Sequence, residues 1–91
     1  MNDESITAES LIRELREMSG ERCPHCDGVV SAVDALKSRA LGARRRPRCL
    51  EGLAQYIGSE VEDLQRQLAD YFSQRECYQG ALNWAEQQDA E

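Results

Sequence analysis

The chain has 91 residues, of which 41% are hydrophobic and 31% charged, and this composition is typical of one folded domain. Its formal net charge of −6 argues against a protein that coats nucleic acid. The length excludes a large catalytic barrel, and the thin core of so short a chain would gain stability from a cross-link or a bound metal.

The sequence has no feature that would direct it to a membrane. No apolar run approaches the roughly 20 residues that a membrane-spanning helix needs. The first residues, Met-Asn-Asp-Glu-Ser, lack the basic and apolar regions of a signal peptide. We therefore expect a cytoplasmic protein. In such a reducing compartment, paired cysteines are more often metal ligands or catalytic thiols than structural disulfides.

Apolar residues recur at helical spacing along the whole chain, which predicts an all-α fold. We expect a single domain over residues 1–91, built as a bundle of four or five short helices. The first helix ends at Gly20 and the second, whose apolar stripe begins at Val29, ends at Gly42, since glycine is common just past a helix C-terminus. Their apolar stripes are Ala8, Leu11, Leu15 and Met18, then Val29, Val33, Leu36 and Ala40.

The second half of the chain predicts three more helices. Pro47 suits the first turn of the third helix, and Gly58 breaks it. Ser59 with Glu62 forms a capping box that opens the fourth helix. Gly80 weakens the continuity of the fifth. The three stripes are Leu50, Leu53, Ala54 and Ile57, then Val61, Leu64, Leu68 and Phe72, then Cys77, Ala81, Leu82, Trp84 and Ala85.

Basic residues concentrate between positions 22 and 50, and the regions on either side are acidic. Residues 43–48 are interpreted as a basic linker between two helices. This linker is either solvated or a partner-binding surface, formed by Arg44, Arg45, Arg46 and Arg48, for an acidic protein, an RNA or the acidic end of a second copy. We favour a protein partner, and uncovered helix faces would also allow a homodimer. Residues 1–7 and 88–91 bury little and are expected to fray.

The segment Cys23-Pro24-His25-Cys26 is the strongest local indication of chemistry. If Cys23 is the N-cap of the second helix, the two thiols share one face of its first turn. The positive end of the helix dipole then lowers the pKa of the Cys23 thiol. Because a thiolate both binds metals and attacks disulfides, the motif leaves a metal site and a redox site as alternatives.

The metal alternative is a zinc ion on Cys23, Cys26, Cys49 and Cys77, with His25 as a substitute ligand. Cys49 and Cys77 lie at the edges of predicted helices, from which they could reach the paired cysteines; otherwise they are small core residues. An iron–sulfur cluster is less favoured, because the compact cysteine runs of ferredoxins are absent. This alternative predicts a non-enzymatic helical adaptor or regulatory protein that a zinc ion holds together.

The same four residues resemble the active-site tetrapeptide of the disulfide-oxidase branch of the thioredoxin superfamily. The resemblance implies an exposed, nucleophilic Cys23 with Cys26 as the resolving thiol. It covers four residues of 91, and no strand pattern precedes Cys23, so it implies a thiol–disulfide redox protein or redox switch on another fold. If the chain is an enzyme, this is the reaction that we expect, since its single histidine, His25, is next to the thiols in sequence and no third residue that would orient it is apparent.

Residues 53–68 resemble the helix-turn-helix pattern of bacterial transcription regulators, within a predicted helix pair at 49–72. The resemblance implies a DNA-binding regulator whose second helix contacts bases. The first turn of that helix, however, carries three carboxylates: Glu60, Glu62 and Asp63. Because DNA would repel them, and because the chain is acidic overall, nucleic-acid binding is the less favoured alternative.

Overall fold

A computed structural model describes residues 7–43 and 46–90. Over these residues the chain forms five helices and no strand, which confirms the predicted all-α bundle. The helices are α1 (Ala8–Met18), α2 (Ala32–Ala40), α3 (Leu50–Ile57), α4 (Val61–Ser73) and α5 (Glu76–Asp89). The expected fraying of residues 1–6 and 91, and the partner-binding roles of Arg44 and Arg45, lie outside the described residues.

Helix α5 is the centre of the bundle, because α1, α2 and α4 all pack against it. Small residues on α5 allow this close packing. A Cβ atom at Gly80 would lie only 2.9 Å from the Cβ of Ala8 on α1. Gly80 therefore lies within a continuous α5, at a close approach of two helices. The largest apolar side chains that are completely buried are Leu11, Leu15, Val30, Leu36, Leu53 and Leu64.

The turn between α3 and α4 follows the sequence in one respect and departs from it in another. Gly58 ends α3 in the left-handed conformation, with φ at 75°, as the sequence predicts. The predicted capping box is wrong: the N-cap of α4 is Glu60, and its side chain makes no capping hydrogen bond. Ser59 lies one residue before this N-cap, and its hydroxyl donates to the carbonyl of Glu60.

The start of α2 depends on a contact with the other end of the chain. The carboxylate of Asp89 accepts hydrogen bonds from the backbone N–H groups of Ala32 and Val33, with a donor–acceptor distance of 3.0 Å in each. These are two of the N–H groups that a helix start leaves without partners. Ser31 caps a third. Helix α5 thus extends past Gln87, where we expected fraying to begin, and its last residue caps α2.

The segment between α2 and α3 is held in place at its C-terminal end. The buried Ser38 hydroxyl accepts a hydrogen bond from the N–H of Arg48 over 2.9 Å and donates one to its carbonyl over 3.1 Å. Pro47 is buried and lies two residues before Cys49, the N-cap of α3, so its predicted place in the first turn is wrong. This attachment to α2 fixes where Cys49 enters the fold.

Candidate metal centre

The Cys-x-x-C segment forms a tight loop and not the first turn of a helix. The N–H of Cys23 donates to the carbonyl of Gly28 over 2.7 Å, and the N–H of Asp27 donates to the carbonyl of Cys23 over 2.8 Å. Asp27 has a left-handed backbone, with φ at 61°, which is incompatible with a continuing helix. The prediction that Cys23 caps the second helix is therefore wrong, since α2 begins only at Ala32.

Three cysteine sulfurs from two distant segments meet at this loop. The Sγ atoms of Cys23, Cys26 and Cys49 all lie within 4.8 Å of one another. In a tetrahedral zinc site with Zn–S bonds of ~2.3 Å, thiolate sulfurs are about 3.8 Å apart, so shifts of about 1 Å would bring these three into range. The cluster can therefore hold a metal ion.

The other two residues predicted as ligands are not part of this group. Cys77 lies in the first turn of α5, half-buried against the hydrophobic core. The imidazole of His25 is directed toward α3, with Nε2 3.9 Å from Oε2 of Glu51. The structure thus brings together three of the four predicted cysteines and leaves Cys77 and His25 out.

Backbone N–H groups at the start of α3 point at the sulfurs. The N–H of Cys49 donates to Cys23 Sγ over 3.3 Å, and the N–H of Gly52 donates to Cys49 Sγ over 3.4 Å. Both donors belong to the helix N-terminus, where the dipole favours negative charge. The sequence predicted that the dipole of α2 would stabilise the thiolate of Cys23, whereas in the structure the stabilising N–H groups belong to the start of α3.

The two buried or half-buried thiols have opposite pKa shifts. Burial by itself raises the pKa of Cys23. Hydrogen bonds from the backbone N–H groups of Cys49, Cys26 and His25 and from the Cys26 thiol lower it by more than burial raises it, so the net effect lowers this pKa from 9.0 to about 6. Burial raises the pKa of Cys49 to about 11, with the neighbouring Cys23 and Cys26 adding to the rise and the N–H of Gly52 opposing it. The site therefore stabilises one thiolate by itself, and a bound cation would stabilise the others.

The exposure of the paired cysteines is the reverse of what the thioredoxin-superfamily resemblance implies. Cys23 is 1% exposed and Cys26 is exposed. The expected exposure of Cys23 is therefore wrong for this structure. The buried sulfur is the one that receives hydrogen bonds, which suits a ligand better than an attacking group.

Gly52 is a residue of the site that the sequence analysis did not identify. A Cβ atom there would lie 2.8 Å from the Cβ of His25 and 3.2 Å from the Cβ of Arg48. The missing side chain lets the cysteine loop pack against α3. The signal was present in the sequence, because glycine inside a short helix is unfavourable unless packing requires it.

In the described part of the basic linker, one arginine is exposed and one is half-buried. Arg46 is exposed, whereas the Arg48 guanidinium lies 4.4 Å from the centre of the Tyr56 ring. Next to them, α3 and α4 pack as the predicted helix pair. The carboxylates at the start of α4 are exposed, so this surface is acidic where a helix-turn-helix protein would contact DNA.

Comparison with family models, curated proteins and solved structures finds no match for this chain. In the part of the chain that the structure describes, no helix combines the length and the apolar character needed to cross a membrane.

Proposed function

We propose that this protein is a small, non-enzymatic helical adaptor or regulatory protein whose fold is stabilised by a zinc ion on Cys23, Cys26 and Cys49. One observation carries the proposal: the three sulfurs converge although Cys49 is 26 residues from Cys23 in sequence. The cysteine loop and the start of α3 both contribute sulfur ligands, and backbone N–H groups already stabilise negative charge on Cys23.

Zinc fits this donor set better than an iron–sulfur cluster does. Iron–sulfur clusters are held by four thiolates, whereas zinc also binds three protein ligands with a water molecule in the fourth position, an arrangement common in catalytic zinc sites and rare in structural ones. The described residues bring three thiols together, and Cys26 reaches the surface, from which water can approach. We propose solvent as the fourth ligand.

The position of α3 explains why a metal would matter for stability. Helix α3 packs against α4 and α2, whereas α5 forms the centre of the bundle with the other helices. A zinc ion would join the cysteine loop, which follows α1, to the N-cap of α3. Since an unfolded chain does not offer this site, the binding free energy would add to the free energy of unfolding.

Metal analysis of the purified protein tests this function. After anaerobic purification, elemental analysis should find one zinc per chain, and a strong chelator should lower the melting temperature and the helical circular dichroism. Added zinc should restore both. Less than about a tenth of an equivalent of zinc, with helicity unchanged by the chelator, would rule the proposal out.

A redox switch at the same thiols is the second candidate function. It is favoured by the exposed Cys26 beside Cys23, whose pKa is lowered to about 6. Hydrogen peroxide would oxidise these two thiols to one disulfide, be reduced to two waters, and so release the zinc. Zinc release that follows peroxide and is reversed by a dithiol reductant supports the switch. Release without recovery indicates damage and rejects it.

A further inference from the structure

An open cleft of about 320 Å³ lies between the cysteine loop and α3. It is on the surface of the cysteine loop rather than among the sulfurs, and it is separate from the metal ligands. Its volume is at the lower end of the range for ligand pockets, which suits one or two side chains of a partner. The lining residues are Pro24, His25, Arg48, Gly52, Gln55 and Tyr56.

Arg48 is the cationic group of this cleft, and its charge is not neutralised. It forms no ion pair with any described residue, and its buried Nε has no hydrogen-bond partner. A buried donor without an acceptor is unfavourable in the free protein. The arginine in this state is suited to bind an anion.

The surrounding residues hold this cation in a defined place. Ser38 fixes the backbone of Arg48 through two hydrogen bonds, and the ring of Tyr56 lies 4.4 Å below its guanidinium. Gly52 leaves space for both Arg48 and His25. Because the guanidinium is already ordered, a ligand would lose less conformational entropy on binding it.

We propose that this cleft binds a carboxylate from an acidic segment of a partner protein, with the Arg48 guanidinium as its main contact. The inference rests on the adaptor role proposed above, but not on the zinc ion. Guanidinium and carboxylate form paired, charge-assisted hydrogen bonds, and His25 and Gln55 supply further polar groups at the rim.

Charge favours a protein partner over a nucleic acid. The exposed Glu51 lies beside His25 at the edge of the cleft, and the start of α4 carries further exposed carboxylates. A continuous phosphate backbone would run past these groups, whereas a peptide can present one or two carboxylates to Arg48 alone. The net charge of −6 adds to the repulsion of a polyanion.

Fluorescence anisotropy with the full chain, supplied with zinc, tests this binding. The probes are a fluorescein-labelled Gly/Ser peptide with four glutamates, the same peptide with glutamines, and a single-stranded RNA of equal length. We expect the glutamate peptide to bind at low salt and the glutamine peptide to bind at least about tenfold more weakly. Backbone NMR shifts on titration should centre on Gln55 and Tyr56.

Two matched variants assign the binding to the cleft. Arg48→Gln should weaken binding of the glutamate peptide about tenfold, whereas Arg66→Gln, which removes the same charge from an exposed site on α4, should change it less than about twofold. Should Arg48→Gln lose helicity, the exposed Tyr56→Leu replaces it, with an expected loss of about threefold.

The proposal is overturned if the glutamate peptide does not bind, if Arg48→Gln and Arg66→Gln weaken it equally, or if the RNA binds more tightly than the peptide. Zinc content is measured for every variant. Full zinc content with no peptide binding rejects the docking cleft and leaves the metal site standing. Peptide binding by a protein that retains no zinc after zinc has been supplied rejects the metal site and leaves the docking cleft standing.

Discussion

The backbone N–H of Cys49 donates a hydrogen bond to Cys23 Sγ over 3.3 Å, and it does so from the N-cap position of α3. One residue thus starts a helix, offers its own sulfur to the cluster and stabilises charge on another sulfur. The loop and the helix are joined before any metal binds, so zinc would lock an arrangement that the chain already favours.

Cysteine-to-serine variants separate ligands from bystanders. Cys23→Ser and Cys49→Ser should each lose zinc and lower the melting temperature by more than about 10 °C, since a structural metal contributes several kcal/mol to the free energy of unfolding. Cys77→Ser should retain zinc, because Cys77 lies on α5 outside the sulfur cluster. Elemental analysis and thermal denaturation measure both effects; loss of zinc from Cys77→Ser would contradict a three-sulfur site.

His25→Ala tests whether the imidazole is a ligand. Its Nε2 is directed toward Glu51, so removal of the ring should leave zinc stoichiometry unchanged and lower the affinity by less than about threefold. Visible absorption of the Co²⁺-substituted protein measures the ligand set directly. The spectrum should keep its sulfur-to-cobalt bands and its ligand-field bands in the variant. A shift of the ligand-field bands in His25→Ala would show that the imidazole coordinates the ion.

In the zinc-free, reduced protein, Cys23 should be a thiolate at neutral pH. The pKa of Cys23 is lowered from 9.0 to about 6, so its ultraviolet thiolate absorbance should rise with a midpoint near pH 6 and be missing in Cys23→Ser. Because the folded pKa is lowered, this group stabilises the fold fully above pH 9.0, and the contribution is lost as the pH falls through about 6. A midpoint near 8.5 would indicate an ordinary thiol.

Local signals in the sequence located most of the fold but not the geometry of the site. The apolar stripes and glycines identified five helices, because helical period and chain reversal are local properties. The Cys-x-x-Cys spacing is also local, and two of the three clustered sulfurs belong to it. The loop conformation was missed because the same spacing also allows a helical turn. In the structure, the left-handed backbone of Asp27 and the hydrogen bond from the N–H of Cys23 to the carbonyl of Gly28 form a loop in its place.

Which of the other cysteines joins the pair depends on tertiary contacts that no local pattern encodes. Cys49 and Cys77 both lie near helix starts, and no local sequence pattern distinguishes one from the other as a ligand. Ser38 holds the residue before Cys49 against α2, and Gly52 lets α3 approach the loop, so Cys49 reaches the cluster. Cys77 is carried instead by the central helix α5, where it packs against the core.

Asp89 should stabilise the fold from the end of the chain. Its carboxylate accepts hydrogen bonds from Ala32 and Val33 at the start of α2, as a capping side chain does. Asp89→Ala should lower the free energy of unfolding by about 1–2 kcal/mol. The exposed neighbour provides the control, since Gln88→Ala should change it by less than about 0.5 kcal/mol. Urea denaturation compares the two, and equal effects would contradict a capping role.

Gly80→Ala should destabilise the protein, although alanine is the better helix former by about 1 kcal/mol. The added Cβ would lie 2.9 Å from the Cβ of Ala8, so α1 and α5 would have to move apart, at a cost of about 1–3 kcal/mol. The double variant Ala8→Gly/Gly80→Ala removes the clash and should be more stable than the sum of the single changes predicts. Urea denaturation of the four proteins gives this coupling energy, and a coupling of zero would mean that the helices tolerate the extra methyl group without contact.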